Sequence, residues 1–136
     1  MPKTIPKIAK FMTTLPLAVE SSAKLSMAHQ IMHDNKVRHL PIVDGGKLVG
    51  LLSMSDLHLI ETLKDVDPAV VEVGDAMTRD PYAVASDEPL DEVAAIMAER
   101  KIGSAVVMDA GNIVGMFTTT DALRALAETL RMRAHH

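Results

Sequence analysis

Cysteine and tryptophan are absent from this 136-residue chain, and its aromatic residues come to 2%, two Phe and one Tyr. Without cysteine there is no disulfide framework, no thiolate nucleophile and no Cys-based metal site. With so few aromatics there are few platforms on which single-stranded bases could stack. No apolar run approaches the roughly 18 residues that a membrane span needs. The start, "MPKTIPKIAK", is basic, but no long apolar segment follows, so a secretory signal is not expected and the cytoplasm is the expected location. A formal net charge of −4 argues against a nucleic-acid binder, whose affinity would rest on Lys and Arg. Aliphatic and thioether groups are plentiful: 48% of the residues are hydrophobic and 10 are Met. That composition suits a globular core built from adaptable fillers.

The chain repeats itself. "GLLSMSD" (50–56) is echoed by "GMFTTTD" (115–121), and the offset of 65 that aligns Asp56 with Asp121 holds without a gap from Phe11 to Ala125. At that offset Met12-Thr13 meets Met77-Thr78, Pro16 meets Pro81 and Ala18-Val19 meets Ala83-Val84. Leu25, Ile31-Met32, Lys36, Asp44, Gly46 and Val49-Gly50 all find identical partners. About fifteen of fifty aligned pairs are identical, well above chance, and identify a duplication.

Each copy reads β-α-β-β-α. A proline-punctuated extended piece ("TLPLAV", "RDPYAV") comes first. A helix follows, with Leu25, Ala28, Ile31 and Met32, or Leu90, Val93, Ile96 and Met97, at helical spacing. Ser21-Ser22 and Ser86-Asp87 offer caps, and Pro89 suits a first helical turn. Two apolar runs around "GG" and "AG" read as strand, tight turn, strand. A second helix carries Leu57, Ile60 and Leu63, or Leu123, Leu126 and Leu130. The expected organisation is a first repeat at 8–62, a linker at 63–72, a second repeat at 73–127 and a C-terminal tail at 128–136. A half of ~60 residues buries little surface alone, so the two copies should share a core.

The recurring phrase has two chemistries. Ser53-Met54-Ser55-Asp56 and Thr118-Thr119-Thr120-Asp121 fit a helix capping box, with a hydroxyl at the cap and a carboxylate reaching back. This leaves Ser55, Thr120 and the leading glycine unexplained. A helix start also offers free N–H donors to an anion, hydroxyls add donors, and an aspartate can accept hydrogen bonds from ribose hydroxyls. The phrase can therefore cap a helix or grip a nucleotide.

The element order, the twice-written phrase, the "LPIVD" and "AVVMD" strands and the "MT..P..V" opening together resemble the CBS domain pair, named for cystathionine β-synthase, over about Ile8 to Leu126. The resemblance implies an α+β fold with the two repeats packed about a pseudo-twofold. It implies a regulatory module that binds an adenosine-containing ligand, such as AMP, ADP, ATP or S-adenosylmethionine, in clefts between the copies. One cleft would use Thr118, Thr120 and Asp121 with Thr13, Ala18 and Val37. The other would use Ser53, Ser55 and Asp56 with Thr78, Ala83 and Ile102. The aspartates would hold ribose hydroxyls, and backbone near Ala18 or Ala83 the base. Arg38 and His39, replaced by Gly103 and Ser104 in the second copy, would face phosphate. Similar modules form homodimers, and Leu57 and Leu126 on the second helices are candidates for that surface. With no catalytic domain in the chain, the regulated partner would be a separate protein. The rival reading is a ligand-independent interaction module whose phrases only cap helices.

Other patterns carry less. "GGKLVG" lacks the Walker spacing, with Pro41 at the first glycine position and Leu48 after the lysine. His29 and His33 stand four apart on a helix, but no Glu adjoins His29 and no third ligand is evident, so no metal is expected. His135-His136 reads as an appended pair. Met27, Met32, Met54, Met97, Met108 and Met116 are expected in the core. No nucleophile and base recur together, no cofactor is required, and an enzyme is not expected.

Overall fold

The computed structural model describes residues 4–14 and 17–134. Helix α1 (Leu25–Asn35) buries Leu25, Ala28 and Met32, and α3 (Leu90–Arg100) buries Val93 and Met97, the stripes that the three-and-four spacing predicts. Each ends on a left-handed lysine, Lys36 (φ 54°) or Lys101 (φ 56°), whose N–H closes onto last-turn carbonyls. Strands β3 (His39–Asp44) and β4 (Lys47–Ser53) form one hairpin, and β7 (Ser104–Asp109) and β8 (Asn112–Thr118) another. Their two-residue turns have positive φ at both positions: Gly45 and Gly46 in one, Ala110 and Gly111 in the other. That geometry follows the right-handed twist of the strands. Helices α2 (Met54–Glu61) and α4 (Thr119–Ala134) leave the ends of β4 and β8.

With β2 (Val19–Glu20) and β6 (Ala83–Ala85), the order β-α-β-β-α occurs twice. Two short strands, β1 (Thr13–Thr14) and β5 (Thr78–Arg79), complete a mixed α+β architecture of four α-helices and two four-stranded sheets among the described residues. The sheets run β2-β3-β4-β5 and β1-β8-β7-β6. β2 and β6 pair parallel to their neighbours, and every other pairing is antiparallel. No described helix is long and apolar enough to cross a membrane.

The outer strands trade places between repeats. β5 opens the second repeat but pairs with β4 of the first, Thr78 opposite Leu51. β1 opens the first but pairs with β8 of the second, Thr13 opposite Met116. The chain accordingly divides into a contiguous unit, Leu17–Pro81, and a composite unit drawn from residues 1–16 and 82–136. The contiguous unit has a core of Leu25, Ala28, Met32, Leu40, Ile42, Leu52, Leu57 and Val73 among others. The composite unit packs Ile8 and Phe11 with Val93, Met97, Val107 and Phe117.

The leading glycine of the phrase is explained by this trade. A Cβ on Gly115 would sit 2.5 Å from the Thr13 carbonyl oxygen. A Cβ on Gly50 would sit 2.9 Å from the Thr78 carbonyl oxygen and collide with the Met77 sulfur. Only glycine lets β1 and β5 lie so close to the hairpins.

Several sequence expectations are corrected. The serines before α1 and α3 do not cap them: the caps are Lys24 and Pro89, with no side-chain bond. Backbone carbonyls serve instead, Val71 and Pro68 for Leu25 and Ser26 of α1, and Pro6 for Leu90 of α3. Ser86 bonds Asp109, at 2.5 Å from its hydroxyl. Pro89 stands at the cap itself, one position before the first turn. Leu57 is fully buried, so it belongs to the core and not to a docking surface. Leu63 lies beyond the end of α2, and Leu123, Leu126 and Leu130 are exposed while α4 packs through Asp121 and Ala125. Met27 is exposed. Residues 128–134 continue α4, a stretch without Gly or Pro to stop it.

Candidate functional site

The start of α2 gathers the contiguous unit's expected site residues. Ser53 caps the helix, its hydroxyl accepting from the Asp56 N–H at 3.0 Å, while the Ser53 N–H donates to Asp56 Oδ2 at 3.4 Å. This is the reciprocal capping box that the spacing predicts. That one long bond is all that the Asp56 carboxylate receives among the described residues. Asp56 is half-buried and Ser55 exposed. The first helical N–H, of Met54, donates to the Arg38 carbonyl at 2.8 Å, and His39 stands opposite Ser53 in the ladder. Burial holds the His39 imidazole below its ordinary pKa of 6.5, the Arg38 charge lowers it further, and Asp56 works the other way. Thr78 is exposed on β5, and among the described residues its hydroxyl makes no bond to Asp56. Val37 packs at the edge of this unit's core, and Ala18, half-buried, directly precedes β2.

The start of α4 holds the same phrase in a different state. Asp121 is 1% exposed. Its Oδ2 accepts from the Thr118 N–H at 2.9 Å and the Thr118 hydroxyl at 3.2 Å. Its Oδ1 accepts from the Thr13 hydroxyl and from Arg124 Nη1, both at 3.1 Å. The Asp121 N–H returns to the Thr118 hydroxyl at 3.4 Å. A carboxylate offers about four lone-pair sites, and here all four are taken. Thr120 is exposed. Ala83 lies exposed on β6, and Ile102 packs at the edge of the composite unit's core.

The offset between the repeats explains the contrast. Arg124 corresponds to Leu59, so Asp56 has no cation one turn along its helix. Arg38 and His39 correspond to Gly103 and Ser104, so the contiguous unit has basic groups at these two positions and the composite unit does not.

Sequence reasoning missed one cluster. It centres on His29, whose Nδ1 lies 2.8 Å from Glu61 Oε2 and whose ring meets His58 edge-on, centroids 6.1 Å apart. The i, i+3 spacing of His58 and Glu61 on α2 is the only linear trace of it. His135 and His136 lie outside the described residues.

The CBS domain family matches residues 8–59 and again 73–128. An L-aspartate semialdehyde sulfurtransferase of Methanocaldococcus jannaschii is 32% identical over 126 residues, covering 91% of this chain and 24% of the relative. An inosine-5'-monophosphate dehydrogenase of Korarchaeum cryptofilum is 28% identical over 122 residues, 89% of this chain and 24% of the relative. The chain thus spans about a quarter of the length of these curated relatives. Among solved structures, a CBS domain pair in complex with 5'-methylthioadenosine and S-adenosyl-L-methionine is similar at a TM-score of 0.81 and 27% identity, over 93% of this chain and 99% of that one. The structure of CBSX2 in complex with AMP is similar at 0.73 and 29% identity, over 90% and 97%.

Proposed function

The chain belongs to the CBS domain family, and from that premise we propose that it is a regulatory module that binds an adenosine-containing ligand and acts on a separate protein. The ligand grip is assigned to the start of α2. Asp56 accepts ribose hydroxyls, Ser53 and Ser55 add hydroxyl donors, and Arg38 with His39 faces phosphate. The observation that carries this assignment is the Asp56 carboxylate, which holds one 3.4 Å bond where Asp121 holds four shorter ones. A half-buried carboxylate with spare acceptor sites gains by meeting hydroxyl donors. The likeness to structures bound to S-adenosyl-L-methionine and to AMP supports the ligand class. Binding regulates only if two states of the module differ in affinity. Nucleotide sensing of this kind fits the cytoplasm.

The test is a thermal-shift panel of AMP, ADP, ATP, S-adenosylmethionine, NADH and cyclic dinucleotides. A ligand that binds the folded state raises the melting midpoint by mass action. We expect an adenosyl compound to do so, and Asp56→Ala to weaken its affinity by about tenfold or more, the worth of hydrogen bonds to a charged group. No shift with any compound would favour the second reading, an interaction and dimerisation module. Two observations favour that alternative. Both phrases do form capping boxes, and Leu123, Leu126 and Leu130 lie exposed on one face of α4.

A further inference from the structure

The far end of α2 and the middle of α1 bring together three donors that the adenosyl reading does not use. One ligand atom from each of His29, His58 and Glu61 lies within 4.8 Å of the other two. His29 and Glu61 border an open groove of about 530 Å³, lined also by Ser26, Gln30 and His33. We propose that His29, His58 and Glu61 bind a divalent transition ion of the zinc class, with the remaining coordination position open to the groove.

The donor set is the first reason. Two imidazoles and one carboxylate suit zinc, cobalt and nickel, whereas magnesium and calcium favour oxygen donors throughout. Three protein ligands with one open position is a recurrent zinc arrangement. The spacing is the second. Ligand bonds of about 2.0–2.2 Å in a tetrahedron place donors roughly 3.3 Å apart. The present separations, from 2.8 Å between His29 and Glu61 up to 4.8 Å, bracket that value, and side-chain rotation covers the difference. The ion would replace the proton now shared by His29 Nδ1 and Glu61 Oε2, and that proton leaves to solvent. Helix electrostatics is the third. Glu61 is the last residue of α2, where the negative helix end disfavours a carboxylate and favours a cation. The site belongs to one unit only, because the offset places Ala94, Leu123 and Leu126 at the corresponding positions.

The experiment uses the full chain, stripped with a chelator. Zn²⁺ alone is titrated by calorimetry, and Co²⁺ alone is followed by visible absorption. We expect one ion per chain, a tetrahedral Co²⁺ spectrum, and release of protons to the buffer on binding. His58→Ala removes an exposed side chain and Glu61→Gln is isosteric. Each should keep the native circular dichroism and lower affinity by about a hundredfold or more. The double variant His135→Ala/His136→Ala should bind as before. Binding that survives both His58→Ala and Glu61→Gln, that disappears with His135 and His136, or that prefers Mg²⁺ overturns the site. So does the absence of binding.

Discussion

Asp56 and Asp121 occupy equivalent places in two copies of one phrase, yet one is half-buried with a single long bond and the other is enclosed by Thr13, Thr118 and Arg124. Part of the difference lies within the phrase, where the Thr118 hydroxyl and a closer Thr118 N–H donate to Asp121, and part lies outside it, in Leu59 against Arg124 and in the Thr13 hydroxyl. Equivalent motifs therefore carry different loads. The composite unit spends its aspartate on its own stability, and the contiguous unit leaves its aspartate available.

The sharpest way to break this contrast is to delete each carboxylate. Asp121→Ala strips acceptors from the Thr13 hydroxyl and the Thr118 N–H and should cost about 3 kcal/mol of unfolding free energy in urea. Arg124 adds little to that cost, because its side chain is 62% exposed and can turn to water. Asp56→Ala should cost about 1 kcal/mol, a lost capping partner. Equal losses would erase the distinction. The glycines come next. Gly115→Ala drives a Cβ against a backbone carbonyl and should destabilise by about 2 kcal/mol. Gly50→Ala should cost somewhat less, because part of its clash is with the flexible Met77 side chain.

The pH response separates the units in another way. His39 has a lowered pKa in the folded state, chiefly from burial, so the unfolded chain binds its proton first. Stability is full above 6.5 and falls as pH drops through 6.5 to the lowered folded value. His39→Ser, which copies Ser104, should flatten that slope in denaturation curves recorded across this range. In the composite unit, hydrogen bonds from the Ser86 hydroxyl and N–H lower the pKa of Asp109, so its loss comes only as pH falls through 3.8 and below. The smallest effect belongs to the turns. Ala110 sits at φ 51° where the other hairpin has Gly45, and Ala110→Gly should raise stability by about 0.5 kcal/mol, strain relief offset by chain entropy. No gain in melting midpoint would mean that the turn is already relaxed.

The element order and the hairpin turns were legible because they depend on short-range signals: apolar spacing, paired turn residues and a repeat that confirmed each assignment twice. The capping boxes were legible for the same reason. What failed to show was long-range. Nothing near Ser21 or Ser86 reveals that Pro68 and Pro6 carbonyls will take over the helix starts. The burial of Leu57 and the exposure of Leu126 depend on how each helix is rolled, which a few leucines at helical spacing do not determine. Arg124 and Thr13 close over Asp121 from one turn later and from 108 residues away. The His29 cluster needs two helices to meet.

The exchange of β1 and β5 also separates the unit of duplication from the unit of folding. A stretch matching one repeat, 73–128, would lack its edge strand, the Pro6 carbonyl at the start of α3 and the buried Ile8. Each repeat is thus completed by a strand that the other repeat's sequence supplies.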